Sequence, residues 1–403
     1  MAETSIYFHI PFCNRRCGYC DFNTFEGMKQ YLPPYSEAIC LEIENNRRIS
    51  KRDIQVGTLF FGGGTPSLLD PQQLKKILMT TSRNFAVNPA AEVTLEANPG
   101  TVSKAYLEAI RSLGINRISY GMQSANPDDL RILDRQHQHL DVIQSILWSK
   151  QAGFEHINLD LIFGIPRQSL QRWKDTIELA LLENIDHFSL YSLSIEEGTP
   201  LKHWIDRGLM VEPDEDLSAE MYEYASDRFS RSGFQQYEIS NWAKPHKKNV
   251  EAKCRHNLQY WRYLPYLGFG AGAHGFHDGF RTENENGILS YIEKIRFGEI
   301  KPFPMSPASS TGVELGNWDQ MQEFMMVGFR LTDEGVSKTE FRNRFGYSME
   351  QVFGNQLSKL IRQSLIEIHP VVADRYRLTK KGRLLGNRVF IQFVGNPKPP
   401  ELN

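Results

Sequence analysis

The sequence predicts an α/β fold built on a parallel sheet, and two observations carry that expectation. Six short β-rich runs recur along the first half of the chain, each followed by a helix-like segment, the pattern of strand–helix units that lie parallel in one sheet. Five of the runs also deliver polar or glycine residues towards their C-terminal ends, where parallel α/β folds collect ligands. The first run, "SIYFHIPF" (5–12), leads into a loop holding Cys13, Cys17 and Cys20. The second, "VGTLFFGGG" (56–64), ends in Gly62, Gly63 and Gly64 and is followed by the helical "DPQQLKKILMTTSRNF". In the third, "EVTLEANPG" (92–100), Val93 and Leu95 alternate with Thr94 and Glu96, so Glu96 faces away from the apolar side. The fourth, "RISYGMQS" (117–124), brings Gln123 to its end. In the fifth, "HINLDLIFGIP" (156–166), Asn158 and Asp160 share a face, and the helical "SLQRWKDTIELALLEN" and a sixth run, "HFSLYSLSI" (187–195), follow. Such units close into an incomplete barrel or lie as a doubly wound sheet; in either, one ligand across the rim reaches all five strand ends.

A chain of 403 residues with 40% hydrophobic content buries more than one core, and at roughly 150 residues per domain two or three units are expected. With 46 basic against 48 acidic residues, no chain-wide field recruits nucleic acid or an acidic membrane. The N-terminus lacks a basic region followed by an apolar one, and no segment approaches about 18 consecutive apolar residues. A cytoplasmic location is expected. Five cysteines, three of them crowded together, argue against a disulfide framework and for metal or catalytic chemistry.

The spacing C-x3-C-x2-C in "CNRRCGYC" sets three sulfurs on one loop without a fourth. A structural zinc site wants four ligands. His9 can complete a Cys3His set, although its direction is fixed by strand alternation. Three thiolates with one open position suit a [4Fe-4S] cluster whose fourth iron binds an exchangeable ligand. Three unrelated structural thiols remain the plain alternative.

The triplet, with the aromatic Tyr19 before its last cysteine, resembles the signature of radical S-adenosylmethionine enzymes. Together with "YFHIPFC", "FFGGGTPS", "LEANPGT", "SYGMQS" and "DLIFGIPRQS", which occur in order, it resembles the group containing oxygen-independent coproporphyrinogen III dehydrogenases and HemW-type heme chaperones. That resemblance implies an incomplete (β/α)6 barrel. It implies that Cys13, Cys17 and Cys20 hold three irons of a [4Fe-4S] cluster while S-adenosylmethionine chelates the fourth, and that reductive cleavage of the cofactor gives a 5′-deoxyadenosyl radical. Gly63, Gly64 and Thr65 are implied at the methionine end, where missing Cβ atoms admit close backbone approach. Tyr7, Glu96, Gln123, Arg135 and Asp160 are implied as further cofactor contacts, with Tyr19 beside the adenine. Without the resemblance, Glu96 and Asp160 can equally form a buried ion pair with Arg135, and the glycines can mark only a turn.

The dehydrogenase pattern has a further cysteine two residues after the third, where this chain has Phe22. The first cysteine also stands only twelve residues from the start, without the long N-terminal extension expected of the dehydrogenase. Both features point to the heme-chaperone branch, with heme as ligand and heme-accepting proteins, membrane-associated ones included, as partners. A radical enzyme acting on coproporphyrinogen or another tetrapyrrole is the alternative, and no catalytic residue is assigned. "HNLQYW" (256–261) resembles the H-N-x-x-Y heme-binding motif of the chaperones, which implies His256 as iron ligand supported by Asn257 and Tyr260; read alone, a histidine among aromatics is a satisfied structural residue. Gly270, Gly272 and Gly275 spell G-x-G-x-x-G, but no strong strand is expected before them and no helix after, so a dinucleotide site is rejected. "KPFPMSP" reads as a linker.

Beyond it, amphipathic stretches, a hairpin in "LIEIHPVVADRYRLT" and a final helical run resemble a winged-helix unit. Its basic tract, Arg375, Arg377, Lys380, Lys381, Arg383 and Arg388, is read as a solvated or domain-packing face, with no nucleic-acid partner expected. The expected organisation is a barrel over 1–240, a middle segment with the heme candidate over 241–315, and a C-terminal domain over 316–403.

Overall fold

The structure, a computed structural model, describes residues 3–245 and 252–395. Its major elements begin with β1 (Thr4–Ile10), α1 (Leu32–Ser50), β2 (Gln55–Gly63), α2 (Pro71–Asn84), β3 (Ala86–Ala97), α3 (Lys104–Ser112), β4 (Arg117–Gln123), α4 (His139–Gln151), β5 (His156–Phe163), α5 (Leu170–Leu182) and β6 (His187–Ser192). These are the six expected strand–helix units, and β1 to β6 pair in sequence order, all parallel. Alternation along the strands explains why they form a barrel wall. Ile6, Phe8 and Ile10, Leu59 and Phe61, Leu95, Ile118 and Tyr120, and Leu159 and Leu161 are buried in one apolar core with the helices. Fully burying each such side chain stabilises the fold by about 1.5–3 kcal/mol. The intervening residues, Ser5, Tyr7, Thr58, Glu92, Glu96, Arg117, Ser119, Asn158, Asp160, His187 and Ser189, form the opposite, polar face.

The second half extends this wall on both sides. After α6 (Glu215–Arg231), the antiparallel strands β7 (Gln235–Glu238) and β8 (Asn241–Ala243) join beyond β6. After α7 (Arg255–Trp261), β9 (Tyr266–Phe269) pairs parallel with the free edge of β1, and β10 (His274–His277), β11 (Phe280–Asn284) and, past α8 (Ile288–Phe297), β12 (Ser309–Glu314) continue antiparallel. The result is a 12-stranded sheet whose outermost strands are β12 and β7.

Two sequence expectations are corrected here. A strand, β9, does precede the G-x-G-x-x-G run; a hairpin rather than a helix follows it, so the dinucleotide geometry is still absent. "KPFPMSP" does not end the sheet, because β12 returns to pair with β11 before the chain changes character.

A second apolar core gathers α9 (Asn317–Gly328), β13 (Val336–Ser337), α10 (Lys338–Phe345), α11 (Met349–Arg362), β14 (Ile366–Ile368) and β15 (Arg375–Leu378), and also takes in Tyr263 and Phe276 from the preceding segment. Its three-stranded sheet runs β13–β15–β14. Part of the basic tract is spent within the protein: Arg377 pairs with Glu367 at 2.9 Å, and Arg383 donates to Gln236 Oε1 at 2.8 Å. Among the described residues no helix is long and apolar enough to cross a membrane.

Helix α7 closes the strand-start end of the barrel wall. The Glu92 carboxylate accepts from the backbone N–H of Arg255 (3.1 Å) and His256 (3.0 Å) and is paired with the buried guanidinium of Arg117 at 3.1 Å. Burial pushes the Glu92 carboxyl up, but Arg117 and those N–H groups outweigh it and hold the carboxyl below its ordinary range.

Candidate functional site

At the opposite end, a cavity of about 410 Å³ is lined by Cys13, Cys17, Tyr19, Cys20, Gly63, Gly64, Thr65, Glu96, Gln123, Arg135 and Asp160. Ten of these eleven residues come from the first five strands or directly follow them; Arg135 comes from further along the connection after β4, past a short helix at Pro127–Ile132. Tyr7 does not line the cavity and lies one layer beneath, its hydroxyl 3.1 Å from His9 Nδ1.

The sulfur loop is seated by its backbone. Gly64 N–H donates to Ile10 O (2.9 Å) and Thr65 N–H to Phe12 O (2.8 Å), which pin the end of β1 to the end of β2, and Phe25 N–H donates to Pro11 O (2.7 Å) at the far side of the loop. Two glycines make this approach possible. Gly63 has φ +113°, and a Cβ on Gly64 would lie 2.7 Å from Phe12 O and 3.1 Å from Cys13 Sγ. Burial pushes the thiols of Cys13 and Cys20 up, so they stay protonated until a bound cation favours the thiolates.

The carboxylates on the inner wall face the same space. Glu96 accepts from Gly63 N–H at 3.2 Å, and burial, followed by the nearby charge of Asp160, raises its carboxyl to about 8. Asp160 accepts from Ser119 Oγ and Asn158 Nδ2, both at 2.9 Å, yet burial still raises it. Gln123 stands at φ 62°, and its Oε1 is buried without a partner among the described residues; so is Arg135 Nε. Arg135 does not form the structural ion pair with Glu96 or Asp160 that the sequence left open. Its Nη2 donates instead to Asn98 Oδ1 and Gly121 O, both at 2.7 Å, and its Nη1 lies 3.6 Å from Cys17 Sγ.

The zinc alternative is not supported by this geometry. His9 directs its ring nitrogens to Tyr7 and to Asn23 O (2.9 Å) rather than to the thiols, and among the described residues no three His, Cys, Asp or Glu converge at single-ion distance. Three thiols around a wide cavity, two orphaned polar atoms and a glycine cradle fit a larger sulfur-bound cluster with a polar ligand beside it.

His256 is placed elsewhere. It is 1% exposed under the barrel, with Nδ1 2.7 Å from Thr58 Oγ1, Nε2 2.9 Å from Tyr260 Oη, and its ring stacked on Phe60 at 4.9 Å. Burial lowers its pKa to about 3. Both ring nitrogens of this candidate iron ligand are thus engaged while α7 is seated. Asn257 is half-buried beside it on the same helix.

Sequence reasoning missed Asn98, which bridges Arg135 and Thr65, and the sixth-strand wall of Tyr191 and Leu193. Their signals were present in "LEANPG" and in the polar end of "HFSLYSLSI".

Residues 7–180 match the model of the radical SAM superfamily, and residues 315–385 match the HemN C-terminal domain. The chain is 38% identical to heme chaperone HemW of Bacillus subtilis over 97% of its own length and 99% of that protein. It is 37% identical to the mitochondrial radical S-adenosyl methionine domain-containing protein 1 of Danio rerio, over 88% of this chain and 78% of that one. Its fold superposes on coproporphyrinogen III oxidase (HemN) from Escherichia coli with a TM-score of 0.82 at 20% identity, covering 98% of this chain and 90% of that one. With the sulfur loop, the glycine cradle and the carboxylate wall assembled at one end of such a barrel, and with full-length relatives of this identity, the chain belongs to the HemW family within the radical S-adenosylmethionine superfamily.

Proposed function

We propose that this protein binds heme and passes it to heme-accepting proteins, and that its barrel cavity holds a [4Fe-4S] cluster with S-adenosylmethionine. The carrying observation is the full-length likeness to a curated heme chaperone. Phe22 supports it: where the dehydrogenase pattern has another sulfur, an aromatic side chain stands 64% exposed at the cavity lip.

When bound, the cluster and S-adenosylmethionine supply one-electron reductive chemistry. Cys13, Cys17 and Cys20 would hold three irons. The backbone of Gly63 to Thr65 and the side chain of Gln123 would receive the polar methionine end, and Glu96 and Asp160 would accept from ribose hydroxyls and the amino group. Burial raises both carboxyls, Glu96 to about 8 beside the charge of Asp160, so a cationic ligand next to them would favour loss of the Glu96 proton.

The retained cavity favours one second reading, a radical enzyme acting on a tetrapyrrole. Anaerobic titration of the iron-reconstituted protein with heme, with and without S-adenosylmethionine, separates the two. Saturable uptake near one heme per chain without a new porphyrin or 5′-deoxyadenosine is expected; product formation without heme uptake would replace the carrier reading with the enzyme.

A further inference from the structure

Each sulfur of the loop has a polar side chain beside it: Thr65 Oγ1 lies 3.8 Å from Cys13 Sγ, Arg135 Nη1 3.6 Å from Cys17 Sγ and Thr24 Oγ1 3.9 Å from Cys20 Sγ. Two of these groups are joined through Asn98. A guanidinium has no acceptor, so Asn98 must present Oδ1 to Arg135 Nη2, at 2.7 Å, which turns its Nδ2 towards Thr65 Oγ1 at 3.1 Å. That amide donates to the hydroxyl oxygen. The single hydroxyl proton of Thr65 is thereby left to point at Cys13 Sγ.

The geometry points to Asn98 as a positioning residue for the sulfur-bound cluster: it orients one donor to Cys13 and braces another at Cys17, and so raises the cluster's reduction potential. Hydrogen bonds to cluster sulfurs stabilise the more negative, reduced form. A continuous chain, Cys17–Arg135–Asn98–Thr65–Cys13, thus spans two of the three iron-bearing sulfurs. This inference rests on the reading that the three thiols hold an iron–sulfur cluster.

The substitution Asn98→Asp tests it. The carboxylate still accepts from Arg135, but it also accepts the Thr65 hydroxyl proton instead of donating to that oxygen, which turns the proton away from Cys13. The measurement is an EPR-monitored redox titration of reconstituted protein without S-adenosylmethionine, normalised to iron and acid-labile sulfide. Midpoints are expected to fall for Asn98→Ala and Thr65→Val and furthest for Asn98→Asp, while the Asn98→Ala/Thr65→Val double variant falls by less than the sum of its parts. Wild-type midpoints in both Asn98 variants, or simple additivity in the double variant, would overturn the inference. Should Asn98 variants take up no iron, Thr65→Ser against Thr65→Val carries the test: Ser keeps the hydroxyl and the midpoint, and equal midpoints overturn the inference. Wild-type protein that assembles no cluster at all would sink the underlying reading itself.

Discussion

At the scale of single residues, the site is a set of groups held in states they would not choose in water. Glu96 is the clearest, with its carboxyl raised from an ordinary 4.5 to about 8 by burial and by Asp160. The folded chain therefore binds a proton there that the unfolded chain releases near 4.5. Stability from this group is complete below about 4.5 and is lost as pH rises towards 8. Thermal melts of the ligand-free protein should show that decline, and Glu96→Gln should flatten it; an unchanged slope in the variant would assign the effect to another group. Gly64→Ala, which drives a Cβ onto Phe12 O, should abolish cluster assembly while leaving the far end of the barrel folded, as read by iron content and circular dichroism. The cysteines, the glycines and the two carboxylates were legible in the sequence because strand alternation and loop spacing encode them. Asn98 was not. Its role depends on which way its amide is turned, and that is decided by Arg135, 37 residues away.

At the scale of elements, α7 shows why a motif can be visible while its surroundings are not. "HNLQYW" advertises a histidine and aromatics, but their destination is fixed by Glu92, Thr58 and Phe60, which lie far away in sequence. His256→Ala should cost about 2–4 kcal/mol, since it leaves Thr58 and Tyr260 without their shared partner and opens a cavity. Heme uptake should fall only in proportion to the folded fraction. A variant with wild-type Tm that loses an iron-ligand absorbance band would instead establish His256 as the ligand. The parallel strand β9 went unread for a different reason: "YLGF" runs straight into glycines that signal a turn, and its pairing with β1 is non-local. The six central strands were readable because each carries its own two-residue period.

At the scale of the whole molecule, the two cores are stitched rather than merely adjacent. Arg344 of α10 donates to Tyr263 O at 2.8 Å and lies 4.8 Å over the Tyr263 ring, while Arg383 reaches Gln236 beside the barrel. Arg344→Ala should weaken this seam by about 1–2 kcal/mol. Faster hydrogen exchange is expected in residues 260–280 and in α10, with the cavity-lining segments unchanged. The winged-helix-like unit was legible from its helices and hairpin; its reliance on Tyr263 and Phe276 was not, because those residues belong by sequence to the middle of the chain. The partnership of β1 with β9 also constrains the birth of the molecule. Residues 5–8 emerge from the ribosome well before their second neighbour, residues 266–269, has been made. At ~5–20 residues per second the nascent strand waits on the order of tens of seconds with one edge unpaired. Synthesis, rather than the finished structure, is thus when this protein most needs shielding of its own.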